Sequence, residues 1–184
     1  PLFHEESPYR PSSPYSASKA SSDHLVRAYH RTYDIDVVIT NCSNNYGPHQ
    51  HKEKFIPTII CSIFNQERIP VYGDGLNVRD WLYVHDHVTA LDLVFHRGNN
   101  GETYNIGSNN ELSNIQLVHV ICDIMKEKGF KDPRSLIEFV DDRLGHDKRY
   151  AIDSDKLIKA LHWQPVFEFD KALSTTIDWY VDHI

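Results

Sequence analysis

The sequence has no apolar run near the roughly 18 residues a membrane helix needs, and no basic stripe that would neutralise a nucleic-acid backbone. Its 19 Lys and Arg residues are scattered among 26 Asp and Glu residues, for a formal charge of -7. No membrane and no nucleic acid are therefore expected as partners. With no charged start, apolar segment and small-residue cleavage site in view, a soluble cytoplasmic protein is expected. Glycine is scarce: the eight residues at 47, 73, 75, 98, 101, 107, 129 and 145 nowhere form a Gly-rich turn leading from a strand into a helix. The usual cradle for a dinucleotide pyrophosphate is thus missing from these residues. Cysteine is scarce too. Cys42, Cys61 and Cys122 are odd in number, widely spaced and set in apolar runs, so buried reduced thiols are expected. Among twelve histidines, His49-x-His51 and His85-x-His87 could each present two rings. No cysteine or third histidine stands at ligand spacing, and no metal site is expected.

The remaining composition, 40% hydrophobic and 24% charged over 184 residues, fits one ordinary domain or a large piece of a two-lobed one. The chain begins in a Pro/Ser-rich loop without Met, and further sequence is expected ahead of it. Ser13 as N-cap and Pro14 as first residue open a helix to about Tyr33, with Ala17, Leu25, Ala28 and Tyr29 on its apolar side. The β-branched run Asp36 to Cys42 reads as a strand buried on both faces. Asn44 to Lys54 reads as a polar loop, followed by a short helix near Pro57 to Asn65. Arg68 to Val84 reads as strand, Gly-Asp-Gly turn and strand. A helix from His87 to Arg97, a strand from Thr103 to Gly107, and a helix from Ser113 to Lys128 with capping-box spacing to Gln116 come next. A strand at Leu136 to Val140 and helices near Ser154 to Leu161 and Asp170 to Ile184 complete the alternation, which indicates an α/β fold.

Tyr15 and Lys19 stand four apart, so a helix places them on one face. A tyrosine titrates near 10, and serving as a base at neutral pH requires a shift of about three units, roughly 4 kcal/mol. A neighbouring ammonium and a cationic nicotinamide would both favour the phenolate. An ordinary helix surface would show the same spacing.

The surrounding blocks are more specific. "SPYSASKASSDHLVRAY", a buried strand, "NCSNNYGPHQ", "KFIPTII", "IPVYGDGLNVRDWLYVHD", "GETYNIGSNNELSNIQLV" and "DDRLGHDKRYAID" resemble, in order and spacing, the extended short-chain dehydrogenase/reductase family, which acts on nucleotide sugars. Within that family they look most like the branch that dehydrates dTDP-glucose, rather than the 4-epimerases or the GDP-mannose dehydratases. The resemblance implies the C-terminal part of an NAD(P)-binding Rossmann fold with the Tyr-x-x-x-Lys helix over residues 1–65. Residues 66–184 would be mainly a smaller α/β substrate-binding lobe, with some segments returning to the Rossmann sheet.

It also implies NAD as cofactor, a dTDP-sugar substrate and a homodimer for the full-length protein. Tyr15 would take the 4-hydroxyl proton while Lys19 holds the nicotinamide ribose. Asn45 would face the cofactor and Asn44 the sugar nucleotide. Lys54 and Phe55 would wrap the substrate, Pro70, Val71 and Tyr72 would line the base pocket, and Arg79 would clamp the diphosphate with its planar fork. Without the family, Arg79 reads equally as a surface ion pair with Asp80. Asn114 and the stretch Asp142, Arg143, Leu144, Gly145 and His146 would close over the nucleotide, with Tyr150 nearby. Leu144 departs from the family's proline and leaves that loop less constrained. The family's Thr-Asp-Glu segment, which supplies acid and base for losing water, has no counterpart among these residues. These residues alone are therefore expected to be inactive. A UDP-sugar epimerase or decarboxylase, and a non-catalytic nucleotide-sugar-binding half, stay open at this point.

Overall fold

The computed structural model describes residues 2–142, 145 and 147–184. Arg143, Leu144 and His146, three of the residues expected to close over the nucleotide, lie outside the described residues. Helix α1 (Pro14–Tyr33) starts where Ser13 turns its hydroxyl onto the Ser16 amide, and it ends on Asp34 in the left-handed region. Strands β1 (Ile39–Cys42) and β2 (Asn44–Tyr46) follow, then α2 (Phe55–Asn65), β3 (Ile69–Tyr72), β4 (Val78–Tyr83) and α3 (Val84–Arg97). The second half contributes β5 (Thr103–Ile106), β6 (Glu111–Ser113), α4 (Asn114–Glu127), a 3-10 turn at Pro133–Leu136, β7 (Ile137–Val140), β8 (Arg149–Tyr150), α5 (Asp155–Leu161) and α6 (Phe169–His183).

Three small sheets result. Strand β1 pairs in parallel with β5, and β3 pairs in parallel with β7. Strand β4 is the hub of the third sheet, parallel to β2 and β8 and antiparallel to β6. The two strands flanking the Gly-Asp-Gly turn therefore leave for different sheets. Three elements differ from the sequence expectation. Asn44–Tyr46 is a strand because its backbone finds a ready edge in β4, and β6 and β8 are too short for alternation to betray them. Helix α3 begins at Val84 on Tyr83, three residues early.

Two apolar clusters hold the layers. One joins α2, α4 and α6 with β3 and β4, through side chains such as Ile59, Ile63, Leu117, Ile121, Leu173 and Ile177, all fully buried. The other packs β5, α3 and α5 through Ala90, Val94, Tyr104, Ile106, Leu157 and Trp163. Each methylene removed from water contributes about 0.8 kcal/mol, so these two clusters are where the fold is stabilised. Helix α1 belongs to neither and has no buried residue. Its expected apolar side is open, with Leu25 60% and Tyr29 54% exposed. Strand β1 is likewise only half-buried beyond Ile39. No helix among the described residues is long and apolar enough to cross a membrane.

Candidate active site

Helix α1 runs antiparallel to β1 and β5. Near its C-terminal end, Arg27 donates to the Thr103 hydroxyl at 2.9 Å, and the His30 ring fills the space a Cβ on Gly101 would need. Its N-terminal turns, carrying Tyr15 and Lys19, therefore lie over the C-terminal end of β1, the end of a parallel sheet where ligands bind. The Lys19 charge reaches Cys42, the last residue of that strand, and opposes the burial that pushes the thiol up. Tyr15 is 74% exposed, and Lys19 has no carboxylate partner among the described residues. Both are open to a ligand.

Strand β2 begins one residue after Cys42. The Asn45 amide donates to Cys42 Sγ at 3.3 Å and to Ser43 O at 3.1 Å, while its own Oδ1 is buried with no partner. Ser43 is buried, its amide spent on Ile106 O and its hydroxyl unpaired. A buried acceptor without a donor is costly, by about 1 to 3 kcal/mol, and such groups point to a constraint other than stability.

Arg79 on β4 is not paired with Asp80. Its guanidinium donates to Asp147 O at 2.8 Å and Val78 O at 2.7 Å. Asp80 is 1% exposed and turns instead to the loop before β6, accepting from Ser108 N at 3.0 Å, Ser108 Oγ at 2.9 Å and Asn110 N at 2.8 Å. A Cβ on Gly107 would come within 2.7 Å of Asp80 Oδ2, so this carboxylate requires glycine there. Asp147 is the joint: its carbonyl also accepts from Asn77 Nδ2 at 3.2 Å, and its carboxylate accepts from the Ser12 hydroxyl at 3.3 Å, just ahead of α1. Tyr150 continues the link. It pairs in register with Arg79, and its hydroxyl lies 3.5 Å from Cys42 O. Burial, then the neighbouring Cys42, Asp147 and Asp23 groups, pushes the phenol up.

Lys19, Asn45 and Tyr150 thus converge on Cys42, and Arg79 joins them through Tyr150, with Tyr15 one turn before Lys19 on α1 and Asn44 beside Asn45 on β2. The other expected residues that are described lie in separate elements. Lys54 is the exposed N-cap of α2, and Phe55, its half-buried first residue, stacks on Trp81 at 6.3 Å. Pro70 and Tyr72 show one face of β3, whereas the Val71 side chain is fully buried in the core and has no surface to offer a ligand. Asn114 opens α4, its amide on Asn77 O at 3.0 Å. Asp142 packs beside Gly73, and a Cβ on Gly145 would lie 3.4 Å from Ser12 O, so this loop borders the start of α1. The sequence offers Asp80 only as a surface partner for Arg79, and it does not single out Asp147. Neither sits in a pattern that distinguishes it from a solvated carboxylate.

Among the described residues no group of three His, Cys, Asp or Glu could hold a metal ion. All three cysteines are free, with Cys42 and Cys61 half-buried and only Cys122 buried, its thiol pushed up to about 11 by that burial.

Residues 1–176 match the family model described as GDP-mannose 4,6 dehydratase. A dTDP-glucose 4,6-dehydratase of Xanthomonas campestris pv. campestris is 52% identical over 184 residues, 97% of this chain and 52% of that relative. The crystal structure of DesIV, a dTDP-glucose 4,6-dehydratase from Streptomyces venezuelae with NAD bound, superposes with a TM-score of 0.94 at 43% identity, covering 99% of this chain and 55% of that one. The Bacillus anthracis dTDP-glucose 4,6-dehydratase in complex with NAD gives 0.92 at 46%, over 99% and 56% of the two chains. The chain spans about half the length of the curated relatives it matches.

Proposed function

The chain belongs to the GDP-mannose 4,6 dehydratase family, and from that premise we propose that it is the catalytic-helix and substrate-binding half of an NAD-dependent dTDP-glucose 4,6-dehydratase. Identities of 50 to 52% to relatives of that name support the dTDP-glucose assignment over GDP-mannose. The observation that carries it is the link through Asp147, which ties the start of the Tyr15 helix to the Arg79 guanidinium. One ligand lying between them would meet a base at one end and a cation at the other.

The residues present fit NAD. Lys19 is uncommitted and free to donate to ribose hydroxyls, and the unpaired Asn45 Oδ1 suits the N–H of a carboxamide. Bound there, NAD would supply a reversible hydride acceptor. Tyr15 would accept the proton of the sugar 4-hydroxyl, with the Lys19 charge holding the phenolate. Arg79 would balance the diphosphate with charge-assisted bonds, which fixes how far along the site the sugar reaches. Asn44 would orient the sugar nucleotide, and Lys54, Phe55, Pro70, Tyr72, Asn114 and Asp142 would enclose the nucleotide. Loss of water across C5 and C6 needs a further acid and base that these residues do not supply. The parent is read as a homodimeric cytoplasmic lyase of deoxysugar and surface-polysaccharide synthesis. The exposed row of Leu25, Tyr29 and Tyr33 on α1 supports a partner on that helix.

The test joins this chain behind the N-terminal half of the Xanthomonas campestris relative and supplies NAD with dTDP-glucose. Formation of dTDP-4-keto-6-deoxyglucose is expected, with none from the chain alone. A completed enzyme that epimerises UDP-sugars and leaves dTDP-glucose untouched would overturn the reading.

A further inference from the structure

The loop from Gly47 to Lys54 joins two candidate ligand-binding segments, Asn44 and Asn45 before it and Lys54 and Phe55 after it. Outside the core, with His49 and residues 51–54 exposed, it gains little from packing. His49 nevertheless holds φ at 65°, a left-handed conformation that a non-glycine residue keeps only when its surroundings impose it.

What imposes it comes from two directions and meets at Gln50. The Gln50 side-chain amide donates to Asn45 O at 2.8 Å, folding the loop back onto the end of β2. The Gln50 carbonyl accepts from the Tyr180 hydroxyl of α6. Tyr180 is 1% exposed and sits among the core side chains of α2 and α4, so it is a fixed post. Its neighbour Trp179 packs against the His49 ring, with centroids 4.4 Å apart and the planes tilted by 49°. Burial keeps the Tyr180 phenol protonated, pushed up to about 12, so it donates throughout the neutral range. Asn45 is thereby held by its side chain, through Cys42 and Ser43, and by its carbonyl, through Gln50, with only Oδ1 left over.

We propose that Gln50 and Tyr180 are positioning residues that hold the Gly47–Lys54 loop in the shape in which Asn45 faces the cofactor and Lys54 meets the bound nucleotide sugar. The C-terminal helix thus sets part of the ligand site without touching the ligand. This inference rests on the site assignment of the preceding subsection.

Two variants test it, Tyr180→Phe, which keeps the ring, and Gln50→Leu, which keeps the volume and removes the donor. Amide hydrogen exchange on the chain should show residues 47–54 opening about 3- to 10-fold more often in either variant, the loss of one ordinary hydrogen bond, with α4 unchanged. In the completed enzyme the KM for dTDP-glucose should rise about 3- to 10-fold while kcat stays within about twofold. The double variant should fall short of the sum, because both changes release the same loop. Unchanged exchange in the loop, a loosened loop with unchanged KM, or a fall in kcat tracking a fall in melting temperature would each overturn it. If the completed wild-type enzyme does not act on dTDP-glucose, the site assignment fails, and the exchange measurement still decides the brace.

Discussion

Helices α1 and α4 begin in the same way and end in opposite environments. Each is preceded by a serine whose hydroxyl accepts an amide three residues on, Ser13 from Ser16 at 3.1 Å and Ser113 from Gln116 at 3.3 Å. Helix α4 adds the reciprocal bond, in which the Ser113 amide donates to Gln116 Oε1. Helix α4 then buries Asn114, Leu117, Val118, Ile121, Cys122 and Met125, whereas α1 buries nothing. Local capping decides that a helix forms. It does not say what the helix is for. Helix α4 is part of the wall that makes the lobe stable, and α1 offers Tyr15 and Lys19 to whatever binds.

The contrast can be pressed hardest through function. Tyr15→Phe in the completed enzyme should lower kcat by about 10² to 10⁴, the usual contribution of a positioned acid–base group, while leaving the melting temperature of the chain unchanged. A loss of stability of comparable size would mean that α1 is structural after all. Next in size, Leu117→Ala in α4 should cost about 2 to 5 kcal/mol in urea unfolding, whereas Leu25→Ala on open α1 should stay within about 0.5 kcal/mol. Equal costs would show that the Leu25 face is covered in solution.

The caps themselves sharpen the comparison. Ser113→Ala should cost about 1 kcal/mol of global stability, because α4 unfolds with the core. Ser13→Ala should fray only the first turn of α1, seen as faster exchange at Ala17 with global stability unchanged. The smallest effect concerns the strand that leads into α4. The Arg149 guanidinium, bonded twice to Glu111 at 2.7 Å, holds that carboxyl below the ordinary glutamate range. A depressed folded value means that its stabilisation is complete above the unfolded glutamate value near 4.3 and is lost as pH falls through the folded one. Glu111→Gln should therefore cost a little stability at pH 7, where the pair is fully formed, and flatten the acid limb, so that the two stability profiles converge as pH falls below the folded value.

Much of the fold could be read from the sequence because its signals are local. The Ser13-Pro14 start, the Ser113/Gln116 box and the Gly129 stop need only neighbours a few residues away. Strands β2, β6 and β8 escaped because two or three residues carry no period; each exists only because β4 offers it an edge. The site divides in the same manner. Tyr15 and Lys19 announce themselves by helical spacing, and Arg79 by its place in a longer block. Asp80, Asp147 and Gln50 do not, since their partners Ser108, Ser12 and Tyr180 are 28, 135 and 130 residues away in the chain.

The sequence by itself determined which of the longer segments become helix or strand, which side chains could carry acid–base and phosphate chemistry, and which family the chain resembles. Only the tertiary structure decided that Val71 turns into the core while Pro70 and Tyr72 do not, that Arg79 leaves Asp80 for the Asp147 carbonyl, and that α1 stands uncovered. The physical reason is range. Capping, turn chemistry and periodicity act over three or four residues, whereas burial and hydrogen-bond satisfaction are settled only once distant segments compete for the same partners.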